Sequence, residues 1–254
     1  MKIVAIIQAR YDSTRQPGKV LLPMGETTVI GQVVARVKTA KRLDSVWVAT
    51  STLPADDSIY KEAERLGIPC FRGSSEDVLA RFHGAAEAAE ADVIVRVTCD
   101  CPLFDGHLLD EMLKTFALEI GTGQLIDYFS NVIVRTFPRG LDAEIFTRTA
   151  LERAFRETTR IYDREHVTPY FYNNPEIFHL RSYTGAENLT RHRWTLDTPE
   201  DYTLICSVFE LLAAGRREIT TQEILALIKR RPDLPFINAH VEQKKDAQAR
   251  ANLP

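Results

Sequence analysis

The 254 residues are 44% hydrophobic and 26% charged, the make-up of a globular protein long enough for one large core or two modest ones. Thirty-two Lys and Arg against 35 Asp and Glu leave a formal charge of -3, which excludes a global positive field for nucleic acid or an anionic membrane; any anion site must be local. No apolar run approaches the roughly 20 residues that span a bilayer, and the apolar start at residues 3–7 is too short for a signal peptide, so the cytoplasm is the expected compartment.

Residues 3–7 form a continuous β-branched run ending in Gln8-Ala9-Arg10, the pattern of a buried parallel strand that feeds a loop. Residues 11–25 hold Pro17, Gly18, Pro23 and Gly25, too many breakers for a regular element, and apolar residues then recur at helical spacing from Val29 to Val37. Strands at 46–49, 68–71 and 93–97 alternate with helices at 56–66 and 77–89, which predicts an α/β fold with a mainly parallel sheet and helices on both faces. From 127 to 184 the pattern loosens, with a helix near 150–157 and the aromatic run Tyr170-Phe171-Tyr172, and this stretch reads as an insertion closing over an acceptor or forming a homodimer contact. A strand returns at 194–196, amphipathic helices follow at 199–212 and 221–229, and a polar tail runs over 241–254, so that 1–240 is taken as one domain. Cys70, Cys99, Cys101 and Cys206 show neither zinc spacing nor a disulfide framework and are expected as reduced thiols.

Ligands of open parallel sheets lie beyond the carboxyl ends of the strands, where three motifs fall, at 8–19, 72–77 and 98–103. The first places Arg10, Arg15 and Lys19 on a breaker-rich loop. Fixed cations match phosphate charge, and Gly18 and Ser13 let backbone N–H groups approach closely. A plain solvated loop is the rival reading. Neither a P-loop nor a dinucleotide fingerprint is present. Asp100 and Asp197 each have two readings, as carboxylates for hard magnesium or as caps of the turn or helix that follows. Asp142 and Glu144 would share one face if their stretch is a strand.

The opening Gln8-Ala9-Arg10-Tyr11-Asp12-Ser13-Thr14-Arg15-Gln16-Pro17-Gly18-Lys19 resembles that of the CMP-sugar-acid synthetases, particularly the spore-coat polysaccharide biosynthesis protein F branch and its CMP-Kdo relatives. It departs at Asp12 and Gln16, and Cys99 stands where the family has Gly. The resemblance continues through Phe71-Arg72-Gly73-Ser74, Arg96-Val97-Thr98-Cys99-Asp100-Cys101-Pro102, Pro138-Arg139-Gly140-Leu141-Asp142, Arg164-Glu165-His166 and Leu196-Asp197-Thr198-Pro199-Glu200-Asp201.

What this resemblance implies is a three-layer α/β/α, Rossmann-like nucleotidyltransferase fold and transfer of CMP from CTP to a small anionic acceptor. Arg10, Arg15 and Lys19 are then expected on the phosphates, with Ala9, Ser13 and Arg72 completing the nucleotide site. Asp100 and Asp197 would hold Mg2+, so that Arg10, Lys19, Asp100 and Asp197 form the catalytic set. Arg139, Asp142, Glu144 and His166 are expected on the acceptor side, and Arg191 and Arg193 are further candidates for its carboxylate. A nucleotide-sugar glycosyltransferase and a non-catalytic nucleotide binder are the rival readings; the former typically needs a D-x-D motif, which Asp100-Cys101-Pro102 does not supply.

Overall fold

The computed structural model describes residues 1–13, 15–212 and 218–242. In chain order the first half carries β1 (Ile3–Gln8), the two-residue strands β2 (Pro23–Met24) and β3 (Thr27–Thr28), α1 (Val29–Val37), β4 (Ser45–Ser51), α2 (Asp57–Arg65), β5 (Cys70–Gly73), α3 (Val78–Ala88), β6 (Val93–Thr98) and α4 (Gly106–Gly121). The second half carries β7 (Tyr128–Ser130), β8 (Glu144–Thr147), α5 (Arg148–Glu157), α6 (Ile161–His166), α7 (Pro169–Tyr172), β9 (Leu180–Ser182), α8 (Pro199–Leu212) and α9 (Thr221–Arg230).

The β-branched run of β1 is buried from Ile3 to Ile7, as a central strand covered on both faces must be. It lies between β4 and β6 and pairs with each in parallel. Seven strands of the described residues form one sheet in the order β5-β4-β1-β6-β8-β7-β9. Beyond β6 the direction reverses: β8 runs antiparallel to β6 and β7, and β9 adds in parallel to β7. Because successive side chains of a strand point to opposite faces, Ile3, Ala5 and Ile7 pack with α1 and α4, while Val4 and Ile6 pack with α3. The result is the expected three-layer α/β/α architecture. A third cluster joins α8 and α9 to Trp194, Leu196, Met24 and Leu103.

Three boundaries differ from the sequence reading, each for a local reason. From residue 19 to 28 the chain makes a 3₁₀ turn at Lys19–Leu21 and the β2–β3 hairpin, elements of two or three residues that leave no periodicity to detect. Ile68 donates its N–H back to the Ala63 carbonyl and so ends α2, and β5 opens only at Cys70. Residues 194–196 are not a strand. Trp194 N–H goes to the Arg139 carbonyl and Leu196 N–H to that of Asp100, leaving one isolated bridge between Arg139 and Arg193. The 127–184 stretch supplies β7, β8 and β9 to the main sheet, and the polar tail from 243 onward lies outside the described residues.

Candidate active site

The carboxyl edge of the parallel strands gathers the charged groups. Past β1 the chain turns tightly, with the N–H groups of Ser13 and Gly18 both donating to the Tyr11 carbonyl. Gly18 has φ 71°, and a Cβ there would lie 3.1 Å from the Tyr11 ring, so the turn needs glycine. It delivers Lys19 inward to a buried position. The Lys19 Nζ donates to the Asp197 carboxylate at 2.8 Å and the Leu196 carbonyl at 2.6 Å, with Asp100 Oδ2 at 3.7 Å. Arg15, exposed on the loop, reaches the other Asp197 oxygen at 2.8 Å. Arg10 is exposed and makes no ion pair among the described residues, Ala9 is buried beneath it, and Ser13 is half-buried. Thr14 falls outside the described residues.

Hydrogen bonds show that Asp197 does not cap α8. Thr198 Oγ1 accepts from Asp201 N–H, while the Asp201 carboxylate accepts the N–H groups of Asp197 and Thr198. The side chain of Asp197 is thereby left to the cations. Arg193 grips Asp201 through two bonds of 2.9 Å and reaches Asp197 at 3.0 Å. Burial opposes charge on Asp197, but Lys19, Arg15 and Arg193 outweigh it and hold the carboxyl below its usual pKa. Asp100 follows β6, takes a 2.6 Å bond from the Thr98 hydroxyl and leaves Oδ2 facing Lys19. The two carboxylates meet around one ammonium. Among the described residues no third carboxylate, His or Cys completes a protein-only cage.

Arg72, at the end of β5, is held by the carbonyls of Ser51 and Leu53 and by Asp57 at 2.7 Å. The acceptor-side candidates do not form one cluster. Asp142 precedes β8 and is gripped by both terminal nitrogens of Arg135, at 2.5 and 2.8 Å. Glu144, inside β8, is buried and bound by Arg96 and by the Tyr128 hydroxyl at 2.5 Å. His166 ends α6 with its ring 4.3 Å from that of Tyr162. Arg139 lines a cavity of about 300 Å³ with Arg191, His192, Trp194 and Phe236. Gly140 after it has φ 102°, and a Cβ would lie 2.5 Å from the Trp194 carbonyl carbon, so this turn too needs glycine. The Cys99 and Cys101 thiols are buried, and burial pushes both pKa values up, as inert thiols require.

The model of the cytidylyltransferase family matches residues 4–244. The chain belongs to the cytidylyltransferase family. A spore coat polysaccharide biosynthesis protein of Bacillus subtilis is 34% identical over 238 residues, covering 91% of this chain and 95% of that protein. A cytidylyltransferase structure from Leptospira borgpetersenii is 36% identical with a TM-score of 0.88, covering 96% and 99% of the two chains. A 3-deoxy-manno-octulosonate cytidylyltransferase of Geobacter metallireducens is 32% identical over 181 residues, 66% of this chain and 69% of that protein.

This cytidylyltransferase is therefore a nucleotidyltransferase, and the glycosyltransferase reading is set aside. The sequence offers Arg191-His192-Arg193 either as solvated charge or as a contact for the acceptor carboxylate. Arg193 is instead a nearly buried tie between Asp197 and Asp201. The signal was there in the acid four residues after Asp197. Arg96, part of the 96–103 motif, is a nearly buried cation on β6, where burial opposes its charge and Glu144 outweighs the opposition.

Proposed function

We propose that this cytidylyltransferase uses magnesium to transfer CMP from CTP to a small anionic acceptor, a sugar acid, releasing pyrophosphate for polysaccharide or glycan biosynthesis. The observation that carries it is the Lys19 ammonium buried between Asp197 and Asp100 at the carboxyl edge of β1 and β6, with Arg15 on Asp197 beside it. Arg15 sits on an exposed loop and can exchange Asp197 for a phosphate oxygen without unpacking the core. Arg10, without an ion pair among the described residues, can do the same, and Lys19 stays as a fixed point charge. Ser13 and Arg72 border the nucleoside in this reading.

The acceptor hydroxyl attacks the α-phosphorus, the bond to the β-phosphate oxygen breaks, the hydroxyl proton passes to water and pyrophosphate departs. Alignment and fixed charge supply the rate, as in phosphoryl transfer generally. Asp100 and Asp197 suit magnesium, which takes hard oxygens from one or two carboxylates and completes its shell with phosphate and water. When bound, the ion supplies neutralisation of the charge developing on the phosphates. Arg139, half-buried and without an ion pair among the described residues, is the acceptor-side residue best suited to a carboxylate. Asp142, Glu144 and His166 would shape its surroundings. The named substrate of the Geobacter relative, a sugar acid, supports that acceptor class.

The test is pyrophosphate release with CTP, UTP, ATP or GTP against a panel of sugar acids with magnesium present. Release only with CTP and an acidic acceptor is expected; preference for another nucleotide refutes the cytidylyl assignment. A homodimer through the 127–184 stretch is part of the proposal, supported by exposed Ile133, Val134 and Ile161. Light scattering that finds a monomer across micromolar concentrations refutes it.

A further inference from the structure

One cation near the site has no use in the mechanism above. Arg81, near the start of α3, is 1% exposed, yet among the described residues no carboxylate forms an ion pair with it. Its Nη1 donates to the Ser74 carbonyl at 2.9 Å, while Nε and Nη2 are buried without a hydrogen-bond partner. Asp56 acts on it from a distance, but the Asp56 oxygens are taken by Tyr11 N–H at 2.7 Å, Ser51 N–H at 3.0 Å and the Ser51 hydroxyl. The other charges that reach it are Arg10 and Arg96. Burial first, then these two like charges, push its pKa down to about 10. Arg96 also has a buried Nε without a partner.

Stability alone gives no reason to keep such a group. A buried donor without an acceptor costs free energy, and an apolar residue of similar volume is commonly tolerated or better. Departures of this kind gather at functional sites. The cover over Arg81 is thin: Ser74 and Glu76 of the 74–77 loop are exposed, and a Cβ on Gly73 would lie 3.1 Å from Arg81 Cγ.

We infer that Arg81 is an anion-binding residue of this enzyme, whose two unpartnered donors take a substrate oxyanion as the 74–77 loop shifts. A guanidinium with two free donors suits a phosphate of CTP or the carboxylate of the acceptor, both planar or tetrahedral oxyanions open to bidentate contact. The inference rests on the 8–19 loop being the triphosphate cradle.

The experiment compares wild type, Arg81→Met, Arg81→Lys and Lys19→Ala. Calorimetry gives the Tm of each and its affinity for CTP with magnesium. Kinetics give KM for the sugar acid that supports turnover in the wild type. Arg81→Met is expected to keep or raise Tm, because the orphaned charge is gone, while one binding constant worsens at least tenfold. Loss of CTP affinity assigns the oxyanion to a phosphate, and a raised acceptor KM assigns it to the carboxylate. If Arg81→Met lowers Tm by several degrees, Arg81→Lys decides, since it keeps the charge and loses the fork: a tenfold loss in either constant upholds the site. CTP affinity and acceptor KM both within twofold of wild type overturn it. If Lys19→Ala loses CTP and the Arg81 variants do not, this inference fails alone; a wild type that does not bind CTP overturns the cradle as well.

Discussion

Replacing Asp197 by Asn keeps the shape of the side chain and removes the charge that three cations share. Breaking a buried pair by deleting one partner costs about 3–5 kcal/mol when the other charge is left without compensation. Here compensation is partial. Arg193 retains both bonds to Asp201, and Arg15 returns to solvent. Lys19 bears the loss, keeping the Leu196 carbonyl at 2.6 Å and Asp100 at 3.7 Å. About 2–3 kcal/mol of destabilisation remains. For a chain of this size roughly 2–4 °C of Tm follows each kcal/mol, so Asp197→Asn should melt roughly 4–12 °C lower. Differential scanning calorimetry at neutral pH reads this directly, and pyrophosphate release with magnesium should be lost in the same variant. A Tm within a degree of wild type, with turnover intact, refutes both the ion cluster and the magnesium assignment.

Other outcomes follow from the same geometry. The folded pKa of Asp197 lies below its unfolded value, so the stability it adds is complete above the unfolded pKa of about 3.9 and fades as pH falls through the lower folded value. The Tm gap between wild type and Asp197→Asn should stay constant from about pH 5 to 8 and close in stronger acid; a gap that closes near neutrality contradicts the assignment. Arg10→Ala should leave Tm unchanged, because Arg10 is exposed and makes no ion pair among the described residues, yet weaken CTP binding by about 1.5–3 kcal/mol in titration calorimetry. Lys19→Ala should lose both stability and CTP affinity, because it strips Asp197 of its buried partner. Asp100→Asn should abolish magnesium-dependent turnover at small cost in Tm, since Thr98 still donates to the amide oxygen and the side chain is partly exposed; near-normal rates at low magnesium would leave Asp100 a turn residue.

The sheet was legible because β1, β4 and β6 carry apolar runs and the chain between them holds α1, α2 and α3, whose apolar residues recur at helical spacing. That periodicity also located the three loops at its carboxyl edge. The short elements were not legible. Strands of three residues such as β7 and β9 are fixed by partners far away in sequence, β2 and β3 form a hairpin too short to show a period, and 194–196 has the composition of a strand but spends its N–H groups on the Arg139 and Asp100 carbonyls. Asp142 and Glu144 showed the same limit. Their alternate spacing reads as one face, but β8 begins only at Glu144, and each acid has its own arginine. The charge at the site was visible in the sequence; which cation meets which carboxylate was not, because Lys19 and Asp197 meet across a separation of 178 residues.

That separation also fixes when the site can exist during synthesis. Lys19 leaves the ribosome long before Leu196 and Asp197, and Arg36 waits still longer for the Ile219 carbonyl, 183 residues on. At roughly 5–20 residues per second, the nascent chain carries its basic loop for about ten to thirty seconds or more before the carboxylate that organises it has been made. Closing so long a loop is entropically costly and comes late in folding. A chain cut short before residue 197 would therefore build the central strands yet leave Lys19 without its buried carboxylate, and the charged cluster would form only when the last quarter of the polypeptide docks.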